Sequence, residues 1–343
     1  MYSESDIDAA VAAGVLPAAI AAKFRAFIAA QRTAPAVDEE YVRLLTGFND
    51  IFVSIAIALV LGAISFSAGT VPVKSALVAL CSWGLAEFFT RKRRMALPSI
   101  LLLLTYAWGV AALLLWAAGE ISGVHGLHMG LDSPVLALCL TGAAGLMALA
   151  MWLHWRRFHV PITVAAGAAL VALTLIAVLL TAAPVLQPHW PWLLFAAGGA
   201  IFALGLRWDM TDLARKTGRS DVAFWLHLLA APMLVHPLFY LLGLLHGGAQ
   251  GEGTAVLAIL IYLALGFIAL LVDRRALLVS ALGYVLFALS SVMKASGVIG
   301  QDLAYTALVA GAALLLLSAF WHQARQFVLL AAPTGLRRHL PPG

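Results

Sequence analysis

Two histidines and two prolines lie in one apolar stretch of the chain, residues 219–240, which reads RSDVAFWLHLLAAPMLVHPLFY. Histidine titrates near neutral pH and also binds metal ions, so its position in an apolar segment bears on function. His227 and His236 are nine residues apart, which places them on opposite sides of an ideal helix. They therefore do not predict a shared two-histidine ligand set unless Pro232 distorts the helix between them.

His236 is the stronger candidate of the two histidines for a functional group. It lies deeper in the apolar stretch, and Tyr240, one helical turn further on, shares its face. Pro232 and Pro237 leave backbone carbonyl groups that a neighbouring helix or water must satisfy. Because ionisable residues inside a membrane are costly and often functional, the sequence predicts a cavity here, with His236→Ala more harmful than His227→Ala. The alternative is a neutral histidine bonded to a neighbouring helix.

A second group of polar residues falls where apolar segments begin or end. Carboxylates grouped at such positions either line a polar vestibule or form ion pairs that keep acids away from lipid. Both interpretations remain open from sequence. The group comprises Asn49, Asp50, Glu87, Asp209, Asp212 and Asp221.

Histidines between other apolar segments form a weaker metal-site candidate. His125 and His128, in the sequence HGLH, are three residues apart, which suits two ligands of one metal ion. His189 and His246 are further candidates, but the sequence fixes no third ligand, and solvated loop histidines are the alternative.

Enzyme motifs are weak or absent. The segment DMTDLAR, residues 209–215, is similar to part of the CDP-alcohol phosphotransferase signature, but Leu213 replaces the glycine of that signature and its downstream aspartate pair is missing. There is no P-loop, HExxH or GxSxG sequence. The sequence therefore predicts no catalytic residues and no cofactor.

The composition explains where these residues must lie. Of 343 residues, 63% are hydrophobic and 11% are charged, whereas soluble domains carry about 25% charged residues. A chain of this kind belongs in a membrane, with lipid as its surrounding partner. The net charge of +5 does not indicate nucleic-acid binding, because the basic residues stand in short groups between apolar segments. Cys81 and Cys139 lie inside apolar segments and are expected to be free thiols.

Ten apolar segments are long enough to cross about 30 Å of hydrocarbon. The sequence therefore predicts an all-α, polytopic transmembrane bundle of about ten spans. These spans lie near 48–68, 71–90, 96–118, 133–153, 160–182, 191–207, 222–244, 254–272, 276–295 and 304–322.

The basic residues also predict the orientation. With the N-terminus in the cytoplasm, all 21 Lys and Arg residues except Lys74 and Lys294 fall on the cytoplasmic side, as the positive-inside rule requires. The start of the chain, MYSESDID, is acidic and does not resemble a signal peptide. We therefore expect a bacterial inner-membrane protein with both termini cytoplasmic.

The chain divides into three parts. The sequence predicts a cytoplasmic amphipathic helical hairpin and linker at residues 1–47. It predicts the transmembrane bundle at residues 48–322 and a cytoplasmic tail at residues 323–343. The face of the second tail helix that would contact the membrane surface or the protein's own loops carries Ile20, Phe24, Phe27 and Ile28.

Basic groups recur near residues 92, 156, 215 and 274. This spacing suits stacked helical hairpins of about sixty residues. The alternative is that any evenly spaced multi-pass protein shows the same rhythm.

The layout of DIDAAVAAGVLPAAIAAKFRAFI ahead of RLLTGFNDIFVSIAIALVLGAI resembles uncharacterised bacterial membrane proteins of the DUF2157-like group. The stretches WGLAEFFTRKRRMALPSI and RSDVAFWLHLLAAPMLVHP are similar to features of such proteins. The resemblance implies a cytoplasmic helical tail and many spans, and it carries over no functional residues.

Three classes of function follow. The first is a non-enzymatic scaffold, sensor or small-molecule permease, with an unidentified small-molecule or protein partner. The second is a coupled transporter using a cavity near His236, and the third is a membrane-embedded enzyme or metal-binding protein. Because the acids lie at the segment ends rather than mid-span, the first class is favoured over proton coupling.

Overall fold

The structure is a computed structural model, and every regular element in its described part is a helix, as expected for an all-α protein. The described residues are 4–31, 48–124, 133–212, 217–243, 252–275, 277, 278, 282, 286 and 302–331. The chain forms two compact units, Met1–Tyr41 and Val42–Gly343.

The first unit contains helix α1 (Glu4–Ala12) and helix α2 (Ala18–Gln31). An exposed ion pair joins them, in which Arg25 donates to the Asp8 carboxylate at 2.8 Å. Ile20 and Phe24 on α2 are both exposed, whereas the side chains of Phe27 and Ile28 lie outside the described residues. Binding of this unit to a membrane surface stays a prediction.

The second unit begins with long apolar helices separated by short turns. A π-helical turn, Glu87–Lys92, extends α4, and a 3-10 helix, Pro184–His189, precedes α8. The helices are α3 (Phe48–Phe66), α4 (Val71–Ala86), α5 (Ala96–Ser122), α6 (Pro134–Phe158), α7 (Ile162–Ala182), α8 (Trp190–Met210), α9 (Gly218–Leu241), α10 (Glu252–Val272), α11 (Asp302–Ala319) and α12 (Trp321–Ala331).

Seven helices in the described part of the chain, α3 to α9, are long and apolar enough to cross a membrane. Of the span expected at 254–272, the structure describes the apolar stretch Leu260–Val272 of helix α10. The expected span at 276–295 lies mostly outside the described residues, so the total of ten spans stays a prediction. Helix α12 includes the first residues of the predicted C-terminal tail.

Consecutive helices pack as hairpins. The most extensive contacts join α4 to α5, α6 to α7 and α8 to α9. Three basic turns contain a residue with left-handed backbone: Arg94 (φ 53°), His159 (φ 54°) and Asp273 (φ 56°). This conformation costs about 1–2 kcal/mol for a residue other than glycine, and here it lets the chain reverse within a few residues.

The predicted basic turns meet at one end of the second unit. Arg157 at the end of α6 binds Glu87 at the end of α4. The ring centroids of Trp155 on α6 and Trp208 on α8 are 6.3 Å apart. Arg274, after α10, binds Asp209 on α8. We call this end of the unit the basic end.

Helix α9 lies at the centre of this packing. Half of its most apolar 18-residue window is buried, against at most 22% in the other six spans. It contacts both α7 and α8, and it runs from Gly218 to Leu241 without a break at Pro232 or Pro237. The other spans leave large apolar side chains such as Leu59 and Leu80 exposed, in keeping with a lipid environment.

Candidate functional site

Helices α8 and α9 approach each other closely because the buried face of α8 carries two glycines. Gly198, Ile201, Gly205 and Asp209 follow at helical spacing and are all buried. At Gly198, a Cβ atom would lie 3.0 Å from the backbone carbonyl carbon of Met233 on α9. Close approach of this kind is what glycine permits between membrane helices, and it brings the Asp209 carboxylate up to α9.

His227, in the middle of α9, is fully buried and faces that carboxylate. Its Nε2 lies 3.0 Å from Asp209 Oδ2, a hydrogen-bonding distance at which an imidazole N–H donates to the carboxylate. The Phe202 ring lies edge-on, with its centroid 5.0 Å from that of the imidazole. A Cβ on Gly205 would come within 2.9 Å of His227 Cε1, so only glycine leaves room for the ring.

Arg274 completes the arrangement from the turn after α10. Its Nε donates to Asp209 Oδ2 at 3.2 Å, and a terminal nitrogen donates to Asp209 Oδ1. The same terminal nitrogen donates to the backbone carbonyl of Ser220, at the start of α9, at 3.1 Å. We call Asp209, His227, Arg274 and the Ser220 carbonyl the Asp209 network. It joins the end of α8, two points on α9 and the turn after α10.

The neighbouring residues of that turn hold α12. Asp273 Oδ1 accepts a hydrogen bond from Trp321 Nε1 at 2.8 Å and lies 3.6 Å from Arg325 Nε. The Arg275 guanidinium lies 5.0 Å from the Trp321 ring centroid, a cation–π contact. Three consecutive residues, 273 to 275, therefore connect the α8–α9 hairpin to α12.

The chemistry of the Asp209 network is that of a closed, buried ion pair. Both carboxylate oxygens of Asp209 accept from side chains of the protein itself. A buried ion pair adds little net stability over an apolar pair, yet removing one partner costs about 3–5 kcal/mol. The network therefore stabilises one arrangement of helix ends strongly against alternatives.

The structure separates His236 from His227. The ring centroid of His236 lies 6.2 Å from that of Trp190, the first residue of α8. The ring centroid of Tyr240 lies 4.8 Å from the same indole centroid. His236 and Tyr240 thus share a face, as the helical spacing predicts, and pack at the opposite end of α8 from Asp209. The predicted cavity near His236 stays a prediction.

The predicted polar group divides into separate contacts. Glu87 accepts from Arg157 Nε at 2.6 Å and from Arg91 at 3.3 Å. The Asp212 carboxylate accepts from the backbone N–H and hydroxyl of Thr217, at 2.9 and 2.6 Å. Of the remaining members, Asp50 is buried, Asn49 is exposed and Asp221 is partly buried.

Of the four histidines considered as metal ligands, only His189 is among the described residues. His125, His128 and His246 lie outside the described residues. His189 ends the 3-10 helix and is exposed. Among the residues that the structure describes, no group of three or more His, Cys, Asp or Glu side chains is placed to hold a metal ion.

Sequence reasoning missed the roles of Arg274, Asp273 and Gly205. The sequence predicts Arg274 only as part of a basic turn, although Asp273 stands beside Arg274 and Arg275 in LLVDRRALL. It also missed His154, which is buried among the rings of Trp83, Tyr106 and Phe158.

Comparison with known protein families, curated proteins and solved structures found no match.

Proposed function

We propose that the chain is a multi-pass protein of the bacterial inner membrane, with about ten spans and both termini in the cytoplasm. Seven apolar helices support this location. The contacts that bring the basic turns together at one end support the orientation, because positively charged segments remain on the cytoplasmic side. The DUF2157-like resemblance, with its cytoplasmic helical tail, agrees with this layout.

Thiol labelling of intact cells tests the orientation. With Cys81 and Cys139 replaced by alanine, a single cysteine is introduced either as Ser67→Cys, between α3 and α4, or as Arg93→Cys, in the first basic turn. Both positions are exposed. A membrane-impermeant maleimide added from outside should label the Ser67→Cys variant alone. Labelling of the Arg93→Cys variant in unbroken cells would contradict the orientation.

We further propose that the protein works without catalysing a reaction, as a sensor or permease that changes conformation at its basic end. The observation that carries this proposal is the Asp209 network, in which buried charges from α8, α9 and the turn after α10 bind one another. A buried ion pair of this kind acts as a latch, by which we mean a contact that holds one conformation. Opening it leaves a charge buried without its partner or exposes that charge to water. Permeases and sensors need such an element with two discrete states.

Hydrogen–deuterium exchange tests the latch. Arg274→Met removes the guanidinium but keeps an apolar side chain of similar length. We expect faster exchange in residues 205–212 and 217–228, with no change in α5. Glu87→Gln, which removes the carboxylate of the exposed ion pair with Arg157, should leave exchange in residues 205–212 and 217–228 unchanged. Faster exchange throughout the protein would indicate a purely structural ion pair, and an unchanged pattern would remove the latch altogether.

A coupled transporter is the second candidate. The observation that favours it is the imidazole and carboxylate held 3.0 Å apart in a buried site at the end of a span, since histidine takes up and releases protons near neutral pH. Reconstituted vesicles containing a pH-sensitive dye would show proton entry with the unaltered protein and none with Asp209→Asn. Proton entry that is equal in both preparations would count against this candidate.

A further inference from the structure

A groove lies along the end of α8, beside the Asp209 network. It has a volume of about 300 Å³ and is lined by Leu204, Arg207, Trp208, Thr211 and Arg219. The first four residues follow at three- and four-residue spacing along α8 and just beyond its end. Arg219 enters from the first turn of α9. We call this feature the arginine groove.

The described lining of the arginine groove carries two arginines and no acid, so its charge is positive. Asp209 binds His227 and Arg274, and Asp212 accepts from Thr217. Asp221 is partly buried and has an interaction of its own. Arg207 and Arg219 are both exposed at the groove. Two guanidinium groups at one opening suit a phosphate group, whose oxygens accept paired hydrogen bonds from arginine.

The other walls of the groove are apolar. Leu204 and Trp208 are half-buried, and Trp208 packs edge-on against Trp155 of α6. Tryptophan at the end of a membrane span is typical of the headgroup level of a bilayer. An anion dissolved in water would gain nothing from these walls, whereas the glycerol and upper acyl carbons of a lipid would be removed from water there.

We propose that the arginine groove binds an anionic phospholipid of the adjoining leaflet. Arg207 and Arg219 hold its phosphate group, and Leu204 and Trp208 contact the glycerol and the first acyl carbons. The groove shares α8 with the Asp209 network, so a bound lipid would contact the same helix end that the latch holds. This inference rests on the proposed membrane location, which the labelling at positions 67 and 93 tests separately.

Native mass spectrometry of the purified full-length chain tests the site. The protein is titrated in neutral detergent with phosphatidylglycerol, with phosphatidylcholine or with glycerol 3-phosphate. We expect saturable binding of phosphatidylglycerol at one site and much weaker binding of the other two. The double variant R207Q/R219Q should bind phosphatidylglycerol roughly thirtyfold more weakly, since each of the two basic residues near anionic lipid contributes about 1 kcal/mol.

A matched control separates this site from general attraction to positive charge. R93Q/R156Q also removes two exposed arginines from the basic end, each of which lies over an aromatic ring outside the groove. This control should change the affinity less than about twofold. Leu204→Gln should weaken binding of phosphatidylglycerol while leaving that of glycerol 3-phosphate unchanged. An equal loss in both arginine pairs, no loss in either, or equal affinity for lipid and glycerol 3-phosphate would overturn the proposal.

Discussion

Two ion pairs among the described residues at the basic end, Glu87–Arg157 and Asp209–Arg274, differ in burial. Glu87 on the turn that extends α4 binds Arg157, 70 residues later, and both side chains are exposed, at 31% and 42%. Asp209 on α8 binds Arg274, 65 residues later, and only 5% and 3% of these side chains are exposed. In each case an acid at the end of one hairpin's first helix binds an arginine at the next basic turn.

The comparison shows that ion pairs in equivalent positions can differ in their contribution to stability. Water and salt screen the exposed Glu87–Arg157 pair, so its contribution to stability is small. The buried Asp209–Arg274 pair has lost its water, and each charge depends on the other. Breaking the first pair therefore leaves its partner in water, whereas breaking the second leaves a charge buried without its partner.

The largest expected effect is that of Asp209→Ala. This change leaves the Arg274 guanidinium buried without its carboxylate, so we expect a loss of about 3–5 kcal/mol in the free energy of unfolding. Unfolding in mixed micelles by increasing denaturing detergent measures it. The double variant D209L/R274M removes both charges and should recover much of the loss. A double variant as unstable as the sum of the two single variants would contradict the pairing.

The two histidines of α9 provide the next test. His227→Ala removes a buried ring that contacts Asp209 and Phe202, and we expect a loss of about 2–4 kcal/mol in the free energy of unfolding. His236→Ala removes a partly buried ring beside Trp190 and should cost about 1 kcal/mol or less. This order reverses the order expected from the sequence. Equal losses for the two variants would show that the Asp209 contact adds nothing.

A glycine pair on α8 sharpens the comparison further. Gly205→Ala places a Cβ 2.9 Å from the His227 ring, so we expect a loss of about 1–3 kcal/mol. Gly199→Ala, on the same helix, meets no heavy atom within 4 Å and should be neutral or slightly stabilising, because alanine favours helix. The same unfolding titration measures both. If Gly205→Ala matched Gly199→Ala, close packing on His227 would not matter.

The smallest effect is expected at the exposed pair. Glu87→Gln leaves Arg157 in contact with water, so the unfolding midpoint should move by no more than the error of the measurement. At high salt as at low salt, the Glu87→Gln variant should be as stable as the unaltered protein. A loss comparable with that of Asp209→Ala would mean that the two ion pairs are equivalent after all.

The helical class and the basic turns were predictable because each depends on nearby residues. Apolar length predicts a span, and an arginine-rich gap between two apolar segments predicts a turn. The turn containing Arg274, for example, lies where the sequence places it, although the sequence gives no reason to expect left-handed backbone at Asp273.

The pairing across the basic end was not predictable. Asp209 and Arg274 are 65 residues apart, and helical periodicity carries no information about which of several acids an arginine binds. The burial of His227 was likewise not predictable from its position along α9. His236 is further along the helix, but the burial of His227 depends on Gly205 of a neighbouring helix.

The 65-residue separation within the Asp209–Arg274 pair also has a consequence for biogenesis. A ribosome adding about 5–20 residues per second takes roughly 3–13 s to travel from codon 209 to codon 274. During that interval the newly inserted hairpin carries an acid without its arginine, and quality-control proteases act on such immature chains. Nascent chains that end after Val272 should therefore be degraded faster than chains that end after Leu278, and pulse-chase labelling would show equal lifetimes if this view were mistaken.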